Sequence, residues 1–175
     1  MTPASIASDI LFNAYHLGDI NDKIIVDLGC GTGIFSIGAS LLGAKKIIGI
    51  DVDKECIYLA RNYAEQNNLE IEFKIKNVND VEIKCNTVLM NPPFGAQKSN
   101  QKADRRFIEK GFEIAEIIYS LHLTKTIPFL EEMISSLDGI ITHQRKYSFP
   151  IKWQFEFHKK EVIEFNVSLL RIKTR

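Results

Sequence analysis

Five residues, Gly29-Cys30-Gly31-Thr32-Gly33, restrict this chain more than any other stretch of it. They lie between two readable elements. The β-branched run from Lys23 to Leu28 predicts a buried strand, and Ile34, Ile37, Gly38 and Leu41 recur at helical spacing up to Gly43. Three alternating glycines let the backbone turn tightly from one to the other and approach a ligand closely. A strand, a glycine turn and a helix in that order open a parallel α/β sheet. Such sheets bind ligands beyond the carboxyl ends of their strands.

The rest of the chain keeps the alternation. Thr2-Pro3 can cap and start a helix whose Ile6, Ile10, Ala14 and Leu17 share a face until Gly18 stops it. Lys45 to Asp51 reads as a second strand, and Lys54 to Asn67 as a helix carrying Ile57, Ala60 and Ala64. Glu70 to Lys76 alternates strictly, with Ile71, Phe73 and Ile75 facing one way and charges the other, as an exposed edge strand would. Thr87 to Met90 is a fourth strand. After the polar loop Ala96 to Ala103, Ile108, Phe112, Ala115 and Tyr119 predict a helix, followed by a short strand at Ser120 to Leu123 and a helix over Thr126 to Leu137. Ile140–Tyr147 and Glu161–Ile172 read as two longer strands. The expected class is α/β: one doubly wound domain with a mostly parallel seven-stranded sheet and a C-terminal antiparallel hairpin.

Composition narrows the function classes. A chain of 175 residues with 45% hydrophobic and 25% charged content suits a single globular domain. No apolar run approaches the roughly 20 residues of a membrane span, and the first residues lack a signal-peptide layout, so a cytoplasmic setting is expected. Cys30, Cys56 and Cys85 are scattered and form no C-x-x-C pair, which supports neither a disulfide framework nor an internal zinc site. The formal net charge is zero, so whole-chain electrostatics does not announce a polyanion partner. Its distribution is less even. From Ile140 onward eight Lys/Arg face three Glu, and Lys98, Lys102, Arg105, Arg106 and Lys110 cluster between Gly95 and Lys110. Runs of this kind also arise as plain solvated faces.

Two carboxylates frame the glycine turn. Asp51 closes the second strand 22 residues after Gly29, where its side chain can accept both hydroxyls of a ribose. Asp53 is placed either beside such a ligand or as the N-cap of the next helix. A nicotinamide loop, G-x-G-x-x-G/A, is not met, because Gly33 comes one position early and Ile34 stands where a small residue belongs. The Gly-Lys-Ser/Thr of a P-loop is absent. Asp27, two residues before the first glycine, has no role in a pyrophosphate loop but could pair with a cationic ligand group.

The second chemical signal is Asn91-Pro92-Pro93-Phe94, which ends the fourth strand. The Asn91 side chain offers a carbonyl acceptor, Pro92 has a backbone carbonyl and no N–H, and Phe94 offers a flat apolar face. Two acceptors and a ring can hold a planar exocyclic amine while the ring stacks on its base. The plainer reading is a proline-stiffened turn after a buried strand.

Taken together, the G-x-G-x-G loop with its preceding Asp resembles the class I S-adenosylmethionine-dependent methyltransferases. The ordered set D-L-G-C-G-T-G, G-I-D-V-D, N-P-P-F-G and the tail Phe157-His158-Lys159-Lys160 resembles, more closely, the methyltransferase-like protein five family, adenine-N6 methyltransferases of small-subunit ribosomal RNA. The resemblance implies S-adenosyl-L-methionine as cofactor. It places Asp27, Gly29, Cys30, Gly31 and Gly33 at the methionine part, Asp51 at the ribose, Val52 and Asp53 beside the adenosine, and Asn77 and Val78 at the cofactor adenine. Thr2 and Asn91 complete that set. Asn91, Pro92, Pro93 and Phe94 would hold the target base, and Lys98, Lys102, His158, Lys159 and Lys160 would contact RNA.

Two departures from the family pattern carry expectations. Asn77 stands where the family has an Asp, so its hydrogen bond lacks charge assistance and weaker cofactor binding is expected. The family has Gln-Tyr ahead of Thr-Pro in a segment folding over the cofactor; here Met1 precedes Thr2-Pro3, so a truncated lid is expected. Eukaryotic members work with a small zinc-binding activator protein, and the edge from Glu70 to Lys76 would be its docking strand. Rival readings are methylation of a protein glutamine N5 or guanine N2, and a non-catalytic cofactor-binding scaffold.

Overall fold

The computed structural model describes residues 2–93, 101–152 and 162–174. Strand β1 (Ile24–Leu28) is buried inside the sheet and pairs in parallel on both sides, with β2 (Lys46–Asp51) and with β4 (Cys85–Met90). β3 (Glu72–Ile75) adds to β2 as the outer strand, and β5 (Ala115–Leu123) adds to β4, both in parallel. β6 (Ile140–Lys152) and β7 (Val162–Lys173) form the antiparallel hairpin, and β7 inserts between β5 and β6. The seven strands run in the order β3-β2-β1-β4-β5-β7-β6.

Alternation along each strand sorts side chains to two helical layers. Ile25, Ile47 and Leu89 face α1 (Ala4–His16) and α2 (Ile34–Leu41), packing with Ile10, Leu11, Phe35 and Ala39. Val26, Ile48, Ile50, Val88 and Met90 face the other way, towards Ile108 of α4 (Gln101–Ile114) and Leu130 and Ile134 of α5 (Ile127–Ser136). α3 (Lys54–Gln66) closes the edge by packing Ile57, Ala60 and Ala64 on Phe73. Gly49 makes room for that ring, since a Cβ there would lie 2.5 Å from Phe73 and 3.0 Å from Ser36 Oγ. The fold is therefore doubly wound, as the strand–helix alternation predicts. Among the described residues no helix is long and apolar enough to cross a membrane.

Three local expectations are corrected. The helix expected to run through Tyr119 stops at Ile114, and a nine-residue strand starts at Ala115. Ile117 and Ile118 are β-branched and the stretch from Ile118 to Leu123 is buried throughout, so no one-faced period marks it as a strand. Thr2 does not cap α1: Pro3 occupies the N-cap position without a side-chain cap bond. The hairpin is longer than expected, with β6 reaching Lys152.

A buried ion pair ties the start of the chain to its last strand. Asp19, after α1, accepts from Arg171 Nε (2.7 Å) and Nη2 (3.0 Å) and from the Tyr119 hydroxyl (2.6 Å). Thr87 Oγ1 donates to the Asp19 carbonyl at 2.7 Å. Burial and the adjacent Asp19 carboxylate both push the Tyr119 phenol well above its ordinary value.

Candidate active site

The carboxyl ends of β1, β2 and β4 meet at the glycine turn. Gly29 and Cys30 donate their backbone N–H groups to the Ile50 carbonyl at 2.8 and 3.0 Å, which pins the turn to β2. Gly29, Gly31 and Gly33 all take positive φ, of 69°, 52° and 84°, a region that side chains disfavour. A Cβ at Gly33 would stand 2.9 Å from Phe73 Cζ, and one at Gly29 would stand 3.1 Å from Phe107 Cε1. The turn is thus packed between two aromatic rings as well as strained for anything but glycine.

Asp51 orders the rim. Its Oδ2 accepts from Gly31 N (2.8 Å) and its Oδ1 from Asp53 N (3.0 Å). Each oxygen keeps acceptor capacity for a further donor. Asp53 instead turns to α3, where it accepts from Glu55 N and Cys56 N at 2.9 and 3.2 Å. Those N–H groups hold its carboxyl below the ordinary carboxylate value. Of the two placements open in the sequence, the N-cap is the one seen.

Asp27 lies beneath the turn, 1% exposed. Its Oδ2 accepts from Ser36 N (3.0 Å) and Ser36 Oγ (2.7 Å), while Oδ1 has no hydrogen-bond partner among the described residues. Burial pushes its carboxyl up to about 7, against the two Ser36 bonds and with help from the Asp51 charge. It lines neither of the chambers described next.

Two chambers open over the turn. One, of about 420 Å³, is walled by Asp51, Val52, Asn77, Val78, Pro93 and Phe107 among others. The second, of about 320 Å³, is walled by Thr2, Cys30, Gly31, Thr32, Phe35 and Cys56 among others. Gly29 and Asn91 belong to both. A larger groove of about 840 Å³ lies at the opposite rim, where β4 and β5 begin at Cys85 and Ala115. Its wall carries Glu109, Glu113 and Glu116. It is far from the glycine turn, and size alone does not recommend it.

Asn91 is the pivot between the chambers. Its Nδ2 donates to Thr2 Oγ1 at 2.8 Å, and its Oδ1 is buried with no hydrogen-bond partner among the described residues. Asn77 begins the short 3₁₀ turn Val78–Asp80 and accepts from Asn79 N at 3.0 Å. Burial raises the Cys30 thiol far above its ordinary value, which keeps it neutral at the chamber wall. Among the described residues no group of His, Cys, Asp and Glu could hold a metal ion.

Residues 5–116 match the model of the methyltransferase small domain family. A similar curated protein is the rRNA N(6)-adenosine-methyltransferase METTL5 of Danio rerio, 31% identical over 97% of this chain and 85% of its own length. The chain belongs to the methyltransferase small domain family, in its methyltransferase-like protein five branch. An uncharacterised protein of Methanocaldococcus jannaschii is 39% identical over 96% of this chain and 80% of its own. The crystal structure of a Pyrococcus horikoshii protein, provisionally described as an RNA methyltransferase, is 36% identical with a TM-score of 0.89, covering 99% of this chain and 85% of that one.

As a methyltransferase of this family the protein uses S-adenosyl-L-methionine, and its own residues fit that group. The two oxygens of Asp51 have capacity left for ribose hydroxyls, and the turn offers bare backbone where side chains would fill the space. Of the residues that the resemblance places at the cofactor, Thr2, Gly29, Cys30, Gly31, Asp51, Val52, Asn77, Val78 and Asn91 wall one or both chambers. Asp27, Gly33 and Asp53 do not; Gly33 leaves room for the Phe73 ring, which an added Cβ would meet at 2.9 Å.

For the target, Pro93 walls the larger chamber and Pro92 is buried beside it. Phe94, Lys98, His158, Lys159 and Lys160 lie outside the described residues, as does the side chain of Lys102 on α4. Lys76, Arg106 and Phe107 also wall the larger chamber, and the motifs did not single them out as site residues. In the sequence Arg106 is marked only as part of a basic run, and nothing local to Phe107 marks it as the ring beside Gly29.

Proposed function

We propose that the protein methylates the N6 amino group of adenine in RNA, with small-subunit ribosomal RNA as the substrate that the family resemblance implies. The observation that carries this reading is Asn91, which walls both chambers and whose buried Oδ1 has no hydrogen-bond partner among the described residues. An acceptor left so is unfavourable by about 1–3 kcal/mol, and a planar amine supplies the missing donor. Its second N–H is assigned to the Pro92 carbonyl. Phe94 is assigned to stack on the base, a contact worth about 1–3 kcal/mol.

When bound, S-adenosyl-L-methionine supplies an electrophilic methyl group on a sulfonium. The residues of this chain have a different task. An adenine amine is a poor nucleophile because its lone pair is delocalised into the ring. Two fixed acceptors, one on each N–H, favour an amine geometry that frees that pair. Position 91 is an amide and not a carboxylate, so the work there is alignment and dipolar stabilisation, with no ionised base.

RNA as substrate is supported by the METTL5 relative, which matches 97% of this chain. A relative named as a protein N5-glutamine methyltransferase, also from Methanocaldococcus jannaschii, matches 56% of it. Lys76 and Arg106 add two exposed cations at the chamber wall, where a phosphate backbone would pass. The outer position of β3 supports a partner docking by strand addition. The reading includes one domain working in the cytoplasm.

The test is mass spectrometry of nucleosides from ribosomal RNA incubated with the enzyme and methyl-labelled cofactor. Label in N6-methyladenosine is expected. Label in N2-methylguanosine instead, or in glutamine of ribosomal protein, overturns the reading.

A further inference from the structure

We infer that Thr2 is a positioning residue, whose hydroxyl anchors the Asn91 amide so that its carbonyl faces the target amine. The inference rests on the proposed role of Asn91 as acceptor for that amine.

Thr2 is 6% exposed, and its Oγ1 stands 2.8 Å from Asn91 Nδ2 across 89 residues of sequence. Its place is fixed from the helix that follows. The Pro3 carbonyl accepts from Ile6 N and Ala7 N at 3.1 and 3.0 Å, so α1 begins immediately beyond it. Thr2 stands on the wall of the second chamber only, whereas Asn91 stands on both.

The two ends of an Asn amide have almost the same shape and opposite polarity. Turned by half a rotation, the amide would present NH₂ to an incoming amine, donor against donor. A threonine hydroxyl can donate or accept, so by itself it tolerates either sense. Together with the amine it selects one. With Nδ2 on Thr2, the Oδ1 is left for the substrate. With Oδ1 on Thr2, two donors are left facing each other. The hydroxyl thus fixes the plane of the amide, and the buried oxygen, without a hydrogen-bond partner among the described residues, is the half left for the substrate.

The variants Thr2→Val and Thr2→Ser test this. Valine keeps the shape and removes the oxygen; serine keeps the oxygen. In Thr2→Val, kcat on RNA at saturating cofactor is expected to fall about ten- to a hundredfold, the scale of a misaligned reacting group. Thr2→Ser restores kcat. Independently of turnover, the side-chain NH₂ resonances of Asn91 in ¹⁵N-labelled protein, assigned by their loss in Asn91→Ala, should shift and exchange faster in Thr2→Val than in Thr2→Ser. A Thr2→Val enzyme with wild-type kcat and an unaltered Asn91 signal overturns the inference. So does a loss confined to cofactor affinity. Failure of the wild-type enzyme to label adenine, with the Asn91 signal still dependent on Thr2, overturns the adenine reading instead, so the two failures are distinguishable.

Discussion

An amide at position 91 asks less of its surroundings than a carboxylate would. It can sit half-buried next to Thr2 without a counter-ion, and its oxygen has no hydrogen-bond partner among the described residues. We expect Asn91→Ala to lower kcat by about a hundredfold or more, the scale seen when a preorganised polar group is removed from a reacting centre, with the thermal midpoint near wild type. Rapid-quench transfer assays read the first and calorimetry the second. Asp27 behaves differently because it is fully enclosed. Its carboxyl rises from an ordinary 3.8 to about 7, first because burial disfavours the charge. The folded chain therefore takes up a proton between about pH 4 and pH 7, and this group's contribution to stability falls as pH rises through that window and is level above it. Asp27→Asn keeps an acceptor for Ser36 and removes the titration. Urea unfolding should show it stabilised relative to wild type more at pH 8 than at pH 5, by on the order of 1–3 kcal/mol.

The elements differ in how openly the sequence announces them. β1, β2 and β4 are β-branched runs bounded by polar or glycine turns, and all three are read within a residue or two of their ends. β5 is not, because its Ala115 and Tyr119 continue the helical spacing of Ile108 and Phe112, which hides the point where α4 ends. The site divides along the same line. The glycine turn, Asp51 and Asn91 are legible because each is written in a few adjacent residues at a strand end. The bond from Thr2 to Asn91 and the ring of Phe107 over Gly29 join distant segments, and no local pattern encodes them. Gly33 shows how an element junction concentrates constraint: it starts α2 with φ of 84° and leaves no space under Phe73. Gly33→Ala should cost about 1–3 kcal/mol through strain and overpacking together, seen as a lower midpoint in urea, with α3 amides exchanging faster by hydrogen exchange.

Across the whole molecule, charge is balanced in sum and uneven in place. Lys76 and Arg106 approach one chamber from β3's end and from α4, and both are exposed. If they meet phosphate, replacing both by Ala should weaken RNA binding uniformly across sequences and reduce the slope of log affinity against log salt by about one to two. Filter binding over a salt series measures this, while cofactor titration should be little changed. The same scale governs how the molecule is assembled. Asp19 is joined to Arg171, and β7 sits inside the sheet between β5 and β6. During synthesis, β5 must therefore wait with one flank of amides and carbonyls bare until β7 leaves the ribosome. A nascent chain halted before that point would display a long sticky border, so chaperone capture and misassembly should both concentrate before β7 emerges.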